Sequence, residues 1–85
     1  MKNPDFDQLS RSFEEQGYVL TAKRKSIVDY ICAQEEIADI EEVWMTLREK
    51  EKISWATVYT SVKVLKRLGW VEACEDGGAY RWVNP

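Results

Sequence analysis

The most constraining feature of this sequence is a helix pattern that ends at a glycine and changes at once to a strand pattern. Ser54 is a suitable N-cap, and Gly69 suits the position just beyond a helix C-terminus, so both ends of the helix are defined locally. A 3.6-residue period gives this helix one inward face, formed by Val58, Val62 and Leu65. The segment therefore predicts an amphipathic helix over about residues 54–68 that leads directly into a β-hairpin.

The opposite face of this helix carries small, hydroxyl-bearing and cationic side chains. Its members are Ala56, Thr60, Lys63 and Arg67, with Tyr59 at the flank and Thr57 in the first turn. Short side chains near the start of a helix suit contacts with base edges, and cations near its end suit phosphate groups. This arrangement predicts a recognition helix that lies in the major groove of double-stranded DNA.

Charge gives evidence on both sides of that prediction. The net charge of −3 and the pI near 4.9 oppose DNA binding, because neutralisation of phosphates supplies much of the affinity. The distribution is uneven, however, since residues 52–71 contain four cations and no carboxylate, and Lys23-Arg24-Lys25 forms a second basic cluster. A one-sided DNA binder and an ordinary solvated charged face both fit these counts.

Three further helices are predicted before the recognition helix. Their expected bounds are Asp5 to about Gln16, Ala22 to about Gln34, and from the residue after Asp39 to about Glu49. Asn3 or Asp5 is the cap candidate for the first helix and Gly17 its terminator, Thr21 is the N-cap of the second, and Asp39 with Glu42 forms a capping box for the third.

A period-two pattern follows the last helix. Residues 70–73 and 79–83 flank Glu75-Asp76-Gly77-Gly78, a hairpin signal because both glycines can adopt positive φ. The predicted order of four helices and two strands is that of a winged helix-turn-helix with an extra N-terminal helix, mainly α with a small β-hairpin. We expect residues 1–85 to form a single domain, with residues 70–83 as its wing.

Four short segments of the sequence resemble the ferric uptake regulator (Fur) family. They are Leu20-Thr21-Ala22-Lys23-Arg24, similar to its "LTPQR"; Ile40-Glu41-Glu42-Val43-Trp44, similar to its "AEEVY"; Ile53-Ser54-Trp55-Ala56-Thr57-Val58-Tyr59, similar to its "ISLATVYR"; and Leu68-Gly69-Trp70-Val71, similar to its "GLV" junction. The segments are in register with the family over nearly the whole chain, and the third is the most specific.

The resemblance implies a winged-helix DNA-binding domain of a bacterial transcriptional regulator. It implies a base or sugar contact for Tyr59 and a backbone contact for Arg24. Its neighbour Lys23 is also expected to bind DNA. Two features differ from the family, which has arginine at the position of Thr60 and a histidine-rich, metal-binding dimerisation domain after the wing. This sequence has no histidine, so metal sensing and the family's dimer interface do not transfer to it. The chain is either a stand-alone module or a fragment.

Structural roles compete with these functional ones. Tyr59 could pack its ring against Trp55 or the wing, and Lys63 and Arg67 could be ordinary solvated residues. Four tryptophans in so short a chain could also include an exposed aromatic patch for a protein partner. The alternative function is therefore a winged-helix protein–protein interaction module that does not bind DNA.

Other classes of protein find little support in the sequence. Without histidine, and with no CxxC spacing between Cys32 and Cys74, no catalytic residues, metal ligands or cofactor site are predicted, and folding is expected to need no metal. Cys32 is expected to be a small core residue and Cys74 a surface thiol. With no signal sequence or membrane span, we expect a cytoplasmic protein that binds double-stranded DNA, with a protein partner or a weak homodimer as further candidates.

Overall fold

The computed structural model describes residues 4–37, 39–74 and 78–83. Within these ranges the elements are α1 (Phe6–Glu15), α2 (Ala22–Cys32), β1 (Glu36–Ile37), α3 (Ile40–Arg48), α4 (Trp55–Arg67), β2 (Val71–Ala73) and β3 (Tyr80–Trp82). The architecture is the predicted winged helix, mainly α with a small antiparallel sheet and with α1 as the additional N-terminal helix. The helix-turn-helix pair is α3 and α4. None of the described helices is long and apolar enough to cross a membrane.

Each helix begins where the sequence predicts a cap. The capping side chains accept hydrogen bonds from backbone N–H groups three residues on, at 2.8 Å for Asp5, 3.2 Å for Thr21, 2.9 Å for Asp39 and 3.1 Å for Ser54. In α1 the Gln8 side chain also accepts a bond from the Asp5 backbone, which completes a capping box. Asp5 is thus the cap of α1, while the other candidate, Asn3, lies outside the described residues.

Glycines with positive φ end both α1 and α4. Gly17 has φ 84° and Gly69 has φ 87°. After each glycine the next residue donates a backbone hydrogen bond back into the helix, from Tyr18 to the Phe13 carbonyl at 2.9 Å and from Trp70 to the Leu65 carbonyl at 3.0 Å. This is the Schellman arrangement, in which the residue after the glycine folds back over the last turn.

The sheet has three strands, so the prediction of a two-stranded ribbon is wrong. The order is β1-β3-β2, and β1 pairs with β3 through Glu36 opposite Arg81 and Ile37 opposite Tyr80. A strand of two residues is too short to show period-two alternation, which is why the sequence does not reveal it. The helix before it also ends at Cys32, earlier than the predicted Gln34.

The β2–β3 hairpin confirms the predicted wing strands. Val71 lies opposite Trp82 and Ala73 opposite Tyr80, and the Cys74 N–H donates to the Ala79 carbonyl at 2.8 Å. Gly78 has φ 73°, as its predicted turn position requires. The rest of the predicted turn, residues 75–77, lies outside the described residues.

One core joins the helices to the sheet, with α4 packed against α2, α3 and β2. The predicted inward residues of α4, Val58, Val62 and Leu65, are fully buried. Ser61 and Val64 are buried as well, which makes the buried face wider than predicted. The Ser61 hydroxyl donates to the Thr57 carbonyl at 2.8 Å, so its burial leaves no unsatisfied hydroxyl proton.

Three half-buried tryptophans connect distant parts of the chain through their indole N–H groups. These groups donate from Trp44 to the Ile53 carbonyl at 2.8 Å, from Trp70 to the Ser12 hydroxyl at 2.9 Å, and from Trp82 to the Gln34 carbonyl at 3.0 Å. The first bond holds the turn between α3 and α4, and the others attach the sheet region to α1 and to the end of α2. These three side chains therefore have structural roles.

The conformation of Gly17 generates a stability prediction. A Cβ added there would have no heavy atom within 4 Å, so the cost of Gly17→Ala comes from the positive φ alone. We expect a loss of about 1–2 kcal/mol in the free energy of unfolding, measured by urea denaturation. Gly17→Asn, which tolerates this conformation better, is the matched control and should lose less. An alanine variant as stable as the parent would contradict the assignment.

Candidate nucleic-acid interface

The predicted outer face of α4 is open to solvent. Ala56, Tyr59, Thr60, Lys63 and Arg67 are all exposed, whereas Thr57 is half-buried. These residues lie on the side of the helix opposite the fully buried valines. Described residues on this face include two cations and no carboxylate.

Hydroxyl side chains form hydrogen bonds with one another and with the backbone in the first turns of α4. The Ser54 and Thr57 hydroxyls are 2.7 Å apart, and the Thr60 hydroxyl donates to the Thr57 carbonyl at 3.2 Å. Thr57, predicted as a DNA contact, thus has its side chain engaged with the helix cap. Because the Thr60 hydroxyl already donates its hydrogen bond to the backbone, its oxygen can act towards a ligand only as an acceptor.

An aromatic column runs along one edge of the face. The rings of Trp55 and Tyr59 are stacked with centroids 5.1 Å apart and planes 14° from parallel, and the Lys63 Nζ lies 5.6 Å from the centroid of the Tyr59 ring. Trp55 is nevertheless 45% exposed and Tyr59 37% exposed. Tyr59 therefore packs against Trp55, as one reading predicts, and remains accessible to a ligand. The i, i+4 spacing of the two aromatic residues was the signal in the sequence for this contact.

The other edge of the face borders a groove of about 470 Å³, here called the Tyr18 groove. Its lining residues are Tyr18, Thr60, Lys63, Val64, Lys66 and Arg67. The Arg67 guanidinium donates from Nη1 to the Tyr18 hydroxyl at 3.3 Å. The structure thus brings three of the predicted residues together and adds Tyr18 and Lys66, which sequence reasoning did not select. For Tyr18 the available signal was its place directly after the terminating glycine of α1.

Lys23 and Arg24 lie elsewhere, in the first turn of α2, and are not among the residues that line the Tyr18 groove. Lys23 is exposed, while Arg24 is half-buried and donates from Nη1 to the Val19 carbonyl at 3.3 Å. Four of the five guanidinium N–H groups of Arg24 remain for other partners. These two residues form a second basic position next to a helix N-terminus.

The described part of the wing adds no unpaired cation. Arg81 forms an ion pair with Glu72 across the hairpin, and the hydrogen bond that its Nε donates to this carboxylate raises the pKa of Arg81. Among residues 4–37, 39–74 and 78–83 this is the one ion pair, so the cations of α4 and α2 have no carboxylate partner there.

The described residues contain no cluster of three potential metal ligands. Both cysteines are free thiols and half-buried. Burial, together with the nearby carboxylates of Asp29 and Asp5, raises the pKa of Cys32, and its thiol donates to the Asp29 carbonyl at 3.2 Å. The protonated thiol behaves as a small residue at the edge of the core, partly buried as its predicted role requires.

Known structures share this fold over most of the chain. PerR from Streptococcus pyogenes, described for peroxide sensing and gene regulation, is 24% identical with a TM-score of 0.77, and the match covers 93% of this chain and 58% of PerR. A zinc-bound manganese uptake regulator is 29% identical with a TM-score of 0.72, covering 89% of this chain and 61% of that protein. The chain therefore spans less than two thirds of these relatives.

Comparison with curated protein sequences gave no significant match. The sequence model of the ferric uptake regulator family, in contrast, matches residues 15–82, from the end of α1 to the last strand of the sheet. This range contains α2, α3, α4 and the wing, and with them both basic positions. The chain belongs to the ferric uptake regulator family.

Proposed function

We propose that residues 1–85 form a sequence-specific DNA-binding domain of a transcriptional regulator, with α4 in the major groove. The observation that carries the proposal is the exposed face of α4, which bears cations and no carboxylate in a chain whose net charge is −3. Membership of a family of uptake regulators supports the same function. The proposed activity is binding and not catalysis.

The first turn of α2 supports a backbone contact. Lys23, Arg24 and Lys25 occupy a helix N-terminus, where the helix dipole favours carboxylates by about 0.3–1 kcal/mol each. By contrast, α3 begins with Glu41 and Glu42, in accord with that preference. Phosphate oxygens of DNA would supply the negative charge that the first turn of α2 lacks, and Lys23 and Arg24 are the side chains proposed to bind them.

Base recognition is assigned to the N-terminal half of α4. Ala56, Tyr59 and Thr60 are exposed there, ahead of Lys63 and Arg67, which are assigned to phosphates. In its present conformation the Thr60 hydroxyl offers an acceptor, which matches the amino group of adenine or cytosine in the major groove. Thr57 is assigned an indirect role, in which its hydrogen bond with the N-cap Ser54 holds the first turn of the helix in place.

A second candidate function rests on the exposed aromatic pair. Trp55 and Tyr59 are the kind of residues enriched at protein interfaces, so α4 could instead present its aromatic edge to another protein. DNA remains the proposal because the cations that share the face with these rings have no carboxylate partner among the residues that the structure describes. The two functions differ in their dependence on salt and on duplex.

Salt dependence tests the DNA proposal directly. We expect weak binding by one chain, because a single recognition helix reaches only one half-site. Fluorescence anisotropy with a labelled duplex over a range of salt concentrations should show affinity falling steeply, and Lys63→Ala combined with Arg67→Ala should reduce the slope by about 2.

The matched control for this measurement is Arg11→Ala, which removes an exposed arginine of α1 and should leave the slope unchanged. If no duplex of any sequence binds even at low salt, the DNA proposal is wrong and the protein-interaction module takes its place.

Thr60→Arg tests whether α4 reads bases. An arginine there can form two hydrogen bonds with guanine, which would improve discrimination by about 1–3 kcal/mol. Selection from a randomised duplex library should then enrich guanine at one position, while the melting temperature stays unchanged because the side chain is exposed.

Thr46→Arg, at an exposed threonine of α3, adds the same charge and controls for general attraction to DNA. Equal sequence preferences for the two variants and the parent would show that the outer face of α4 does not contact bases.

A further inference from the structure

The position of Tyr18 follows from the end of α1. Gly17 turns the chain with a positive φ, and the Tyr18 N–H bonds back to the Phe13 carbonyl. The Tyr18 ring consequently packs edge-on against the Phe13 ring, with centroids 6.1 Å apart and planes at 63°. Because Phe13 is fully buried, this contact holds the ring of Tyr18 in place at the border of the core.

The hydroxyl of Tyr18 is joined to α4 across 49 positions of sequence. It accepts a hydrogen bond from Nη1 of Arg67 at 3.3 Å. A phenol that accepts a bond still has its own O–H to donate, and the guanidinium has four further N–H groups. The pair therefore presents several hydrogen-bond donors from two different elements in the same groove.

The remaining polar groups of the Tyr18 groove favour the same kind of ligand. Lys63 and Lys66 add two positive charges, and no carboxylate is among the described residues that line the groove. The ion pair between Glu72 and Arg81 belongs to the sheet and not to the groove. Phosphate oxygens fit a donor-rich, positively charged site of this kind, since they accept bonds from several donors at once.

We propose that the Tyr18 groove binds a phosphate group of the DNA backbone, with Tyr18 and Arg67 acting as one donor pair. This inference rests on the proposed function and names a residue outside the recognition helix for it. A phosphate held here would contact α4 and the turn between α1 and α2 together. It would thereby set the orientation of α4 relative to the DNA backbone without contributing to sequence preference.

Tyr18→Phe is the sharpest variant, because it removes one hydroxyl and keeps the ring that packs on Phe13. We expect roughly ten- to a hundredfold weaker binding to all duplex sequences alike, the effect of losing one hydrogen bond to a charged group. The melting temperature and the salt slope should stay as in the parent, since the core contact remains and no charge is removed. Tyr30→Phe is the matched control, because Tyr30 is half-buried and lines a separate groove with Met45.

A double-mutant cycle tests whether Tyr18 and Arg67 act as a pair. If they do, Tyr18→Phe should cost less than twofold once Arg67→Ala is present. Independent effects that multiply would overturn the pairing. The parent and Tyr18→Phe should also be compared on duplexes that each carry one neutral methylphosphonate. At one position of this replacement the two proteins should bind with equal affinity, because the phosphate that Tyr18 contacts is gone. The absence of such a position would overturn the assignment to a backbone phosphate.

The outcomes separate this inference from the proposed function. If the parent binds duplex and Tyr18→Phe binds as tightly as Tyr30→Phe, the groove assignment is wrong while the DNA proposal stands. If the parent binds no duplex, the DNA proposal is wrong, and a titration with inorganic phosphate followed by NMR at the Tyr18 and Arg67 resonances decides the site. A saturable shift that is absent from Tyr18→Phe would support a free-phosphate site. If no resonance shifts, the assignment of the groove as a phosphate site is wrong together with the DNA proposal.

Discussion

Burial of one face of α4 is the constraint on which the rest of the structure depends. Val58, Ser61, Val62 and Leu65 are fully buried, and the helix packs against α2, α3 and the sheet. Each large apolar side chain buried in this way contributes about 1.5–3 kcal/mol, so the helix cannot rotate about its axis without losing a large part of the core. The orientation of the outer face is therefore determined by packing, before any ligand binds. A surface held in this way loses little conformational freedom on binding.

The turns that end α1 and α4 determine where Tyr18 and Trp70 lie. The turn at Gly17 brings Tyr18 back over Phe13 and to Arg67, and the turn at Gly69 sends Trp70 towards Ser12 on α1. The same backbone motif thus joins α1 to α4 through Tyr18 and joins the sheet region to α1 through Trp70. Because a tyrosine follows the first of these glycines, a hydroxyl group lines the Tyr18 groove and accepts the hydrogen bond from Arg67.

Local signals were sufficient to predict the helices, their caps and the wing strands, because each depends on residues close together in sequence. The missing part was non-local. Strand β1 is defined by its pairing with β3, in which Glu36 and Arg81 are 45 positions apart and Ile37 and Tyr80 are 43 apart.

 Pairings over such separations leave no trace in a two-residue pattern. The contact between Tyr18 and Arg67, 49 positions apart, was unpredictable for the same reason. On α4 itself the helical period correctly predicts that Ala56, Tyr59, Thr60, Lys63 and Arg67 are exposed. The engagement of Thr57 with the cap depends instead on side-chain geometry.

The charges of the chain show where local stability and binding conflict. Carboxylates stand in the first turns of α1 and α3, where the helix dipole favours them, while α2 begins with Lys23, Arg24 and Lys25. On the sheet, Arg81 is paired with Glu72, yet Lys63, Lys66 and Arg67 have no carboxylate partner among the described residues. Lys66 and Arg67 do lie in the last turn of α4, where cations suit the dipole, so their position alone is compatible with a structural role. The first turn of α2 has no such explanation. Natural sequences depart from local rules chiefly at functional sites, and the unfavourable placement of three cations at one helix N-terminus is therefore the stronger argument that this surface faces an anionic partner.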